Sequence, residues 1–154
     1  MKNEKTSEQL RNNLFYLCSL IEYIGRMTKN PRSVVVNAIG EKELRHIFDF
    51  ADVYHCENIE KIATELIERH DIAVGQYDNT VNLGDISLPT FWDMGKVYSR
   101  LIGSIAEEGG MDPIKVLISV YDSWLALKID NYRSSMYYEN NSYLTCSYKA
   151  GHAL

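Results

Sequence analysis

The chain has 154 residues and a mass of 17.7 kDa, which suits one domain or two small halves that share a core. Its hydrophobic content of 45% and charged content of 24% are those of a soluble globule and exclude a disordered tail. The net charge of −5 is spread evenly, with 10 basic and 13 acidic side chains in residues 1–79 and 6 and 8 in residues 80–154. Since neither half is a basic block, nonspecific binding to nucleic acid lacks its usual driving force.

Features of membrane and secreted proteins are missing from the sequence. No apolar run approaches the roughly 20 residues that span a bilayer. The N-terminal residues, MKNEKTSEQLRNN, lack the apolar segment of a signal peptide. Cys18, Cys56 and Cys146 are odd in number and widely spaced, which is typical of reduced thiols. We therefore predict a cytoplasmic protein that does not associate with membranes.

Residues 1–70 are predicted to form an N-terminal unit of four helices. Thr6 and Gln9 have the spacing of a capping box, which opens a long amphipathic helix to about Thr28. Asn30 and Pro31 are typical of an N-cap followed by the first helical position. We expect a short helix from there to Gly40, and third and fourth helices over residues 41–55 and 59–70.

The rest of the chain is predicted to be an irregular connector and a second helical unit. Residues 71–89 contain two glycines, an Asp-Asn pair and a proline, which indicate a connection. Residues 90–154 are predicted to form a C-terminal unit of two long helices plus a short terminal helix. The capping box of Thr90 and Asp93 opens the first of these, and Asp112-Pro113 opens the second, which we expect to continue to Ile129. The fold class is thus mainly α, and we expect one compact domain.

The segment DVYHCENIEKI, residues 52–62, resembles a reactive cluster. One hypothesis is a small metal-dependent enzyme that uses Asp52 and His55 together with Cys56 and Glu57. The pair Glu43-x-x-His46 has the ligand spacing of a bundle helix, but Asp52-x-x-His55 follows nine residues later and is rotated by roughly 180° on a continuous helix. The two pairs cannot share a metal there. We therefore interpret the segment as a helix boundary, with His55 closing an apolar stripe that begins at Leu44, and predict no catalytic, cofactor-binding or metal-binding residue.

Nucleic-acid recognition has one candidate motif, a helix-turn-helix over residues 32–51 with Gly40 at the turn. The second helix begins Glu41-Lys42-Glu43, and acidic side chains at that position would meet phosphates unfavourably. Nucleic acid is therefore an unfavoured partner. A phage-derived inhibitor or regulator of a nucleic-acid-processing complex remains an alternative function.

Two apolar or aromatic surfaces are the remaining candidates for a binding site. Phe50 and Val53 are expected on the side of the third helix opposite the Leu44 stripe, so they face either the interior or a partner. The C-terminal segment carries several tyrosines among Asn and Ser, a composition common at protein interfaces. The residues predicted to contact a partner are Phe50, Val53, Tyr137, Tyr138 and Tyr143.

Three runs of the sequence carry a resemblance: LFYLCSLIEYIGRMTKN, GEKELRHIFDFADVYHCENIEKIATELI and YDSWLALKIDNYRSSMYYENNSYLTCSYKAG. Over nearly its whole length the chain resembles an uncharacterised helical protein family of gut Firmicutes. Its first half is also similar to small helical domains encoded beside ADP-ribosyltransferase-like toxins. The resemblance implies an antitoxin or accessory subunit that works through protein contacts and supplies no catalytic residue. We therefore expect a non-enzymatic protein-binding module, antitoxin-like or of the immunity type, which inhibits another protein and can also form a homo-oligomer.

Overall fold

The computed structural model describes residues 6–154, so the first five residues of the predicted N-terminal unit lie outside it. This part of the chain contains eight α-helices, one 3₁₀ turn at Met136–Tyr138 and no strand, which confirms the mainly α class. In chain order the helices are α1 Ser7–Thr28, α2 Arg32–Asp49, α3 Ala51–Tyr54, α4 Ile59–Arg69, α5 Phe91–Gly109, α6 Pro113–Tyr121, α7 Trp124–Ile129 and α8 Asn141–Ala150.

The helix starts that depend on local capping are confirmed. Thr6 with Gln9 and Thr90 with Asp93 form the two predicted capping boxes. The Asn58 side chain accepts a hydrogen bond from the Glu60 amide, and Asp112 accepts one from Ile114 with Pro113 at the first helical position. In each case the side chain satisfies an amide that the helix itself leaves free, so residues two or three positions apart decide the boundary.

Two predicted helices are broken. The predicted helix over residues 41–55 ends at Asp49, and a separate single turn, α3, follows after Phe50. The predicted long helix after Asp112 stops at Tyr121 and resumes as α7 after Ser123. The predicted boundary at Gly40 is a bend inside α2, where Gly40 takes φ 84° and ψ 160°, a conformation that glycine adopts without strain.

Asn30 does not cap α2 as predicted, because its side-chain amide is used elsewhere. That amide donates to Thr28 Oγ1 at 3.0 Å and to the backbone oxygen of Ala73 at 2.8 Å. Pro31 takes the N-cap position instead, without a side-chain hydrogen bond. Asn30 thereby fixes the start of the connector against the end of α1.

The first helix is the centre of the molecule. Residues 16–22 are all buried, which places this part of α1 in contact with other helices on every side. Its most extensive contact is with α5, and it also packs against α2, α3 and α4. The hydrophobic core is one cluster that draws on both predicted units. No helix in the described part of the chain has the length and hydrophobicity that crossing a membrane requires.

The close contact of α1 with α5 depends on Gly95. A Cβ atom at this position would lie 1.9 Å from Ser19 Oγ and 2.9 Å from the Ser19 backbone nitrogen. We expect Gly95→Ala to lower the free energy of unfolding by about 1–3 kcal/mol, because the two helices must move apart. Chemical denaturation measures this difference.

Gly103 of the same helix is the matched control. The three atoms nearest to a Cβ there all belong to the outer part of the Arg11 side chain, which is partly exposed. We expect Gly103→Ala to change the free energy of unfolding by less than about 1 kcal/mol, since the better helix propensity of alanine offsets a small adjustment. Equal losses for both variants would contradict the role given to the Gly95–Ser19 contact.

Candidate functional site

The break at Phe50 places Asp52 and His55 differently from the sequence prediction. The prediction that His55 continues the apolar stripe from Leu44 is wrong, since it assumed one continuous helix. His55 is exposed, and its ring meets the edge of the Tyr16 ring with a centroid distance of 6.0 Å. Asp52 and His55 instead both line an open cleft between α1, α3 and α5. The segment is a helix boundary as predicted, but it also forms one wall of a cavity.

The side chains of this segment that could bind a metal or act in catalysis do not converge on one reactive centre. The Cys56 thiol donates to the backbone oxygen of Asp52, with a sulfur–oxygen distance of 3.5 Å. Glu57 forms an ion pair with Lys61 at 3.4 Å. Within residues 6–154, no group of three or more His, Cys, Asp or Glu side chains is placed to hold a metal ion. The hypothesis of a metal-dependent enzyme therefore has no ligand set in the described part of the chain.

The cleft has a volume of about 380 Å³ and is lined mainly by aromatic rings and side-chain amides. We call it the aromatic cleft, and its lining residues are Gln9, Asn12, Asn13, Phe15, Tyr16, Ala51, Asp52, His55 and Trp92. Three helices that are distant in the sequence supply these side chains. A concave surface with apolar walls and a few polar groups is the usual form of a binding site.

A row of aromatic rings extends from the aromatic cleft along α1. Phe15 contacts Trp92 at a centroid distance of 5.6 Å, Trp92 contacts Phe91 at 4.7 Å, and Phe91 contacts Tyr23 at 5.1 Å. Phe91 and Trp92 occupy the first turn of α5, whose position the capping box of Thr90 fixes. All four side chains are half-buried, so each is held by packing and still presents part of its ring to solvent.

Tyr16 gives the aromatic cleft a polar group without a partner. Its side chain is buried, and its hydroxyl makes no hydrogen bond to any described residue. Burial, with a smaller contribution from Tyr54, raises the pKa of Tyr16 to about 12, so the hydroxyl stays protonated. An unpaired buried hydroxyl costs about 1–3 kcal/mol.

The five predicted contact residues differ in their exposure and local contacts. Phe50 and Val53 are 49% and 62% exposed and do not line the aromatic cleft, and the Phe50 ring lies 4.8 Å from the His46 ring. Tyr138 is 60% exposed. Tyr137 is half-buried between Tyr132 and Tyr138, and the Tyr143 hydroxyl donates to the backbone oxygen of Leu154. Their role in binding stays a prediction.

Sequence analysis did not identify Phe15 or Trp92 as site residues. Each stands next to a second aromatic residue, in Phe15-Tyr16 and Phe91-Trp92. Two adjacent rings on a helix point about 100° apart, so they cannot both face one core side. That pattern is a signal for a partly exposed ring, and it was present in the sequence.

A second group of polar residues is buried at the other end of α1. Arg32 and Glu22 are 2% and 1% exposed and form two hydrogen bonds, from Arg32 Nε to Glu22 Oε1 at 2.9 Å and from Nη2 to Oε2 at 2.7 Å. Arg26 Nε donates to Glu22 Oε2 at 2.7 Å. We call this group the buried charge cluster, and it consists of Glu22, Arg26, Arg32, Asn79, Tyr98, Asp130 and Tyr132.

The fourth charge of the cluster, Asp130, accepts a hydrogen bond from the Tyr98 hydroxyl at 2.7 Å. Asn79 of the connector joins the charges together, since its oxygen accepts from Arg32 Nη2 at 2.9 Å and its amide donates to the Tyr132 hydroxyl at 3.1 Å. The same amide donates to the Asp130 backbone oxygen at 3.0 Å. The cluster therefore fixes the connector and the segment after α7 to the end of α1.

In the buried charge cluster the pKa of Asp130 is raised and the pKa of Glu22 is lowered. Burial raises the pKa of Asp130 to about 7, with a further contribution from the Glu22 carboxylate and partial compensation by Arg32 and Tyr98. Burial acts in the same sense on Glu22, but the hydrogen bonds and charges of Arg32 and Arg26 outweigh it and lower the pKa of Glu22. Glu22 is thus the ionised partner of the two arginines, and Asp130 titrates near neutrality.

A shallow cleft of about 360 Å³ adjoins the cluster, with Tyr77, Asn79, Asp130 and Tyr132 among its lining residues. The polar groups of Asn79 and Tyr132 in this cleft are already hydrogen-bonded within the cluster. The arrangement is therefore a structural joint between three segments of the chain. The aromatic cleft is the candidate functional site, because it combines an open aromatic surface with side-chain amides.

Comparison with protein-family models, with curated proteins and with solved structures finds no match to this chain.

Proposed function

We propose that the protein is a binding module for another protein and that the aromatic cleft is its contact surface. The observation that carries the proposal is the row of half-exposed rings, Phe15, Trp92, Phe91 and Tyr23, that borders a cleft of about 380 Å³. Large aromatic side chains bury much surface at low conformational cost and dominate the energetics of many interfaces. A cleft of this size accepts one or two side chains of a partner.

The polar groups in the cleft suit recognition better than catalysis. Gln9, Asn12 and Asn13 supply amides, which donate and accept hydrogen bonds without taking part in proton transfer. Asp52 and His55 are the lining side chains with the ordinary chemistry of a general base, and no hydrogen bond from a described residue orients the His55 ring. Amides around an apolar cleft instead fix the direction of a bound segment.

The most specific form of the proposal is an inhibitory partner, antitoxin-like or of the immunity type. The resemblance of the first half of the chain to domains encoded beside toxins supports this form. Its test is co-expression with the product of a neighbouring gene in the native host. Suppression of that product's toxicity by the wild-type chain and not by Trp92→Ala is the expected result.

Trp92→Ala is expected to reduce recovery of a protein partner from the native host by at least about tenfold, because truncating a central aromatic contact typically costs 2 kcal/mol or more of binding free energy. The measurement is quantitative co-purification with the tagged protein. Circular dichroism and thermal unfolding must show that the variant stays folded, since Trp92 also packs on Phe15 and Phe91.

Leu127→Ala is the matched control for this experiment. Leu127 is 62% exposed and belongs to the cleft beside the buried charge cluster, away from the aromatic row. Recovery of the same partner is expected to be unchanged. A partner that is lost with Leu127→Ala and kept with Trp92→Ala would move the binding surface away from the aromatic cleft.

A further inference from the structure

The negative charge of the protein is concentrated beside the aromatic cleft. Residues 41–70 contain eight acidic and four basic side chains, a net charge of −4 in a chain whose total is −5. This segment forms the second half of α2, α3 and α4. The side of the molecule that carries α3 and α4 is therefore acidic, and the remainder is nearly neutral.

Most of the cations in this segment are already paired. Arg45 binds Asp112 at 2.7 Å, Lys61 binds Glu57 at 3.4 Å, and Arg69 binds Glu43. Asp52 and Glu60, by contrast, form no ion pair with any residue of the described range 6–154. Their charges are thus available to a partner.

These two carboxylates border the aromatic row. Asp52 is part of the cleft wall, where it is the one acidic side chain among the lining residues that the structure describes. Glu60 lies near Tyr23 at the far end of the row, and burial together with this carboxylate raises the pKa of Tyr23. A segment that follows the rings along α1 would therefore pass both acidic groups on its α3–α4 side.

The opposite side of Phe15 has a different character. Lys96 and Arg100 of α5 line a separate cleft there, together with Arg11, whose guanidinium is held by Glu107. At Phe15 the acidic border of the aromatic row is thus on the α3 side, and basic side chains stand on the other. This asymmetry specifies where a complementary charge must stand on a bound segment.

We propose that the aromatic cleft binds a segment of another protein that carries an aromatic or long aliphatic anchor and a neighbouring Lys or Arg. The anchor enters the cleft between Phe15, Tyr16 and Trp92, and the cation meets Asp52, with Glu60 available to a second one. This inference rests on the proposed function and adds the chemistry of the partner. Complementary charge sets the direction and the rate of association, and the apolar anchor supplies most of the affinity.

Selection from a random displayed-peptide library tests this chemistry without a known partner. Peptides are selected on the immobilised wild-type protein after removal of those that bind Trp92→Ala. We expect the enriched peptides to contain an aromatic or long aliphatic residue with Lys or Arg nearby and to be positively charged as a group. Their affinity is expected to fall as the salt concentration rises.

Charge reversal provides the matched comparison. We expect Asp52→Lys combined with Glu60→Lys to weaken binding of the selected peptides by about tenfold or more, because an attraction becomes a repulsion. The control is Asp85→Lys, which makes a charge change in the exposed connector and is expected to change affinity by less than about twofold. All of these positions are exposed, so the variants are expected to fold.

The outcomes separate the two proposals. Neutral or acidic peptides that still require Trp92 would overturn the inferred partner chemistry and leave the aromatic cleft as a protein-binding site. The double reversal changes the net charge by +4 and Asp85→Lys changes it by +2. A loss of binding free energy in the double reversal no larger than twice the loss in Asp85→Lys would do the same, since it would show only a general response to net charge. Failure to obtain any peptide that requires Trp92 would overturn both the inference and the proposed function.

Discussion

Replacing Arg32 by methionine is expected to lower the free energy of unfolding by about 3 kcal/mol, since the variant leaves the buried Glu22 carboxylate without its main partner. Arg32 makes two hydrogen bonds to Glu22, one to the Asn30 backbone oxygen and one to Asn79. Arg26 still reaches Glu22 at 2.7 Å, which is why we expect a value at the lower end of the range for broken buried ion pairs. Urea denaturation of the wild type and the variant measures the loss.

The double variant Glu22→Gln with Arg32→Met distinguishes the stability lost by breaking the ion pair from the stability lost by changing the packing of the Arg32 side chain. Removing both charges leaves no uncompensated buried carboxylate, so we expect the double variant to recover at least half of the stability lost in Arg32→Met. If the losses of unfolding free energy in the two single variants simply add in the double variant, the large cost of Arg32→Met arises from packing and not from the charge of Glu22. A loss below about 1 kcal/mol in the single variant would contradict the importance given to the pair.

The helix starts could be predicted from the sequence because their causes are local. Thr6, Asn58, Thr90 and Asp112 each satisfy a free amide two or three residues further on, so a short stretch contains the whole interaction. The breaks at Phe50 and after Tyr121 have no such signal. Neither contains glycine or proline, and Ser123, which takes the N-cap position of α7, makes no side-chain capping hydrogen bond there.

The break at Phe50 also explains why the aromatic cleft was missed. A phase argument from Leu44 to His55 requires one uninterrupted helix, and a break between the two residues changes the direction of every side chain that follows. Phe15 and Trp92 are also separated by most of α1, the next three helices and the connector. Their contact depends on how α1 and α5 pack, which no short stretch of sequence determines.

The buried charge cluster could not be predicted from the sequence either. Glu22 is in phase with polar positions of an amphipathic helix, and Arg32 stands beside the proline that begins α2. Arg32 fits only because Gly25 lacks a side chain, since a Cβ at that position would lie 2.4 Å from Arg32 Cδ. Glycine has a low helix propensity, so Gly25 is unfavourable for α1 considered alone. In the structure, the missing side chain at Gly25 makes room for Arg32.

The stability of the protein is expected to depend on pH through Asp130. Asp130→Asn is expected to stabilise the protein at pH 8 and to have a smaller stabilising effect at pH 5. The pKa of Asp130 in the folded protein is about 7, against an ordinary value of 3.8. A carboxyl whose pKa is raised by folding favours the folded state fully at low pH, and this contribution is lost as the pH rises through about 7. Asparagine keeps a side-chain oxygen that can accept the hydrogen bond from the Tyr98 hydroxyl. Unlike the aspartate, it carries no charge that must be buried at pH 8.

The groups that face Asp130 determine the size of the effect. Glu22 disfavours its ionised form, while Arg32, Arg26 and the Tyr98 hydroxyl favour it. The pKa of Glu22 is lowered, so its carboxylate stays ionised at pH 5 and at pH 8 and adds no slope between them. We expect the stabilisation by Asp130→Asn to be larger at pH 8 than at pH 5 by about 2–3 kcal/mol, since the folded state keeps its proton over the two pH units between 5 and about 7.

Urea denaturation of the wild type, Asp130→Asn and Asp85→Asn at both pH values measures this difference. Asp85 is exposed in the connector, so its amide variant should follow the wild type at each pH. The wild type should lose stability between pH 5 and pH 8 relative to Asp130→Asn, because only its folded state must release a proton from a buried site. A variant that runs parallel to the wild type would mean that Asp130 stays ionised across this range, with the two arginines sufficient to hold two buried carboxylates.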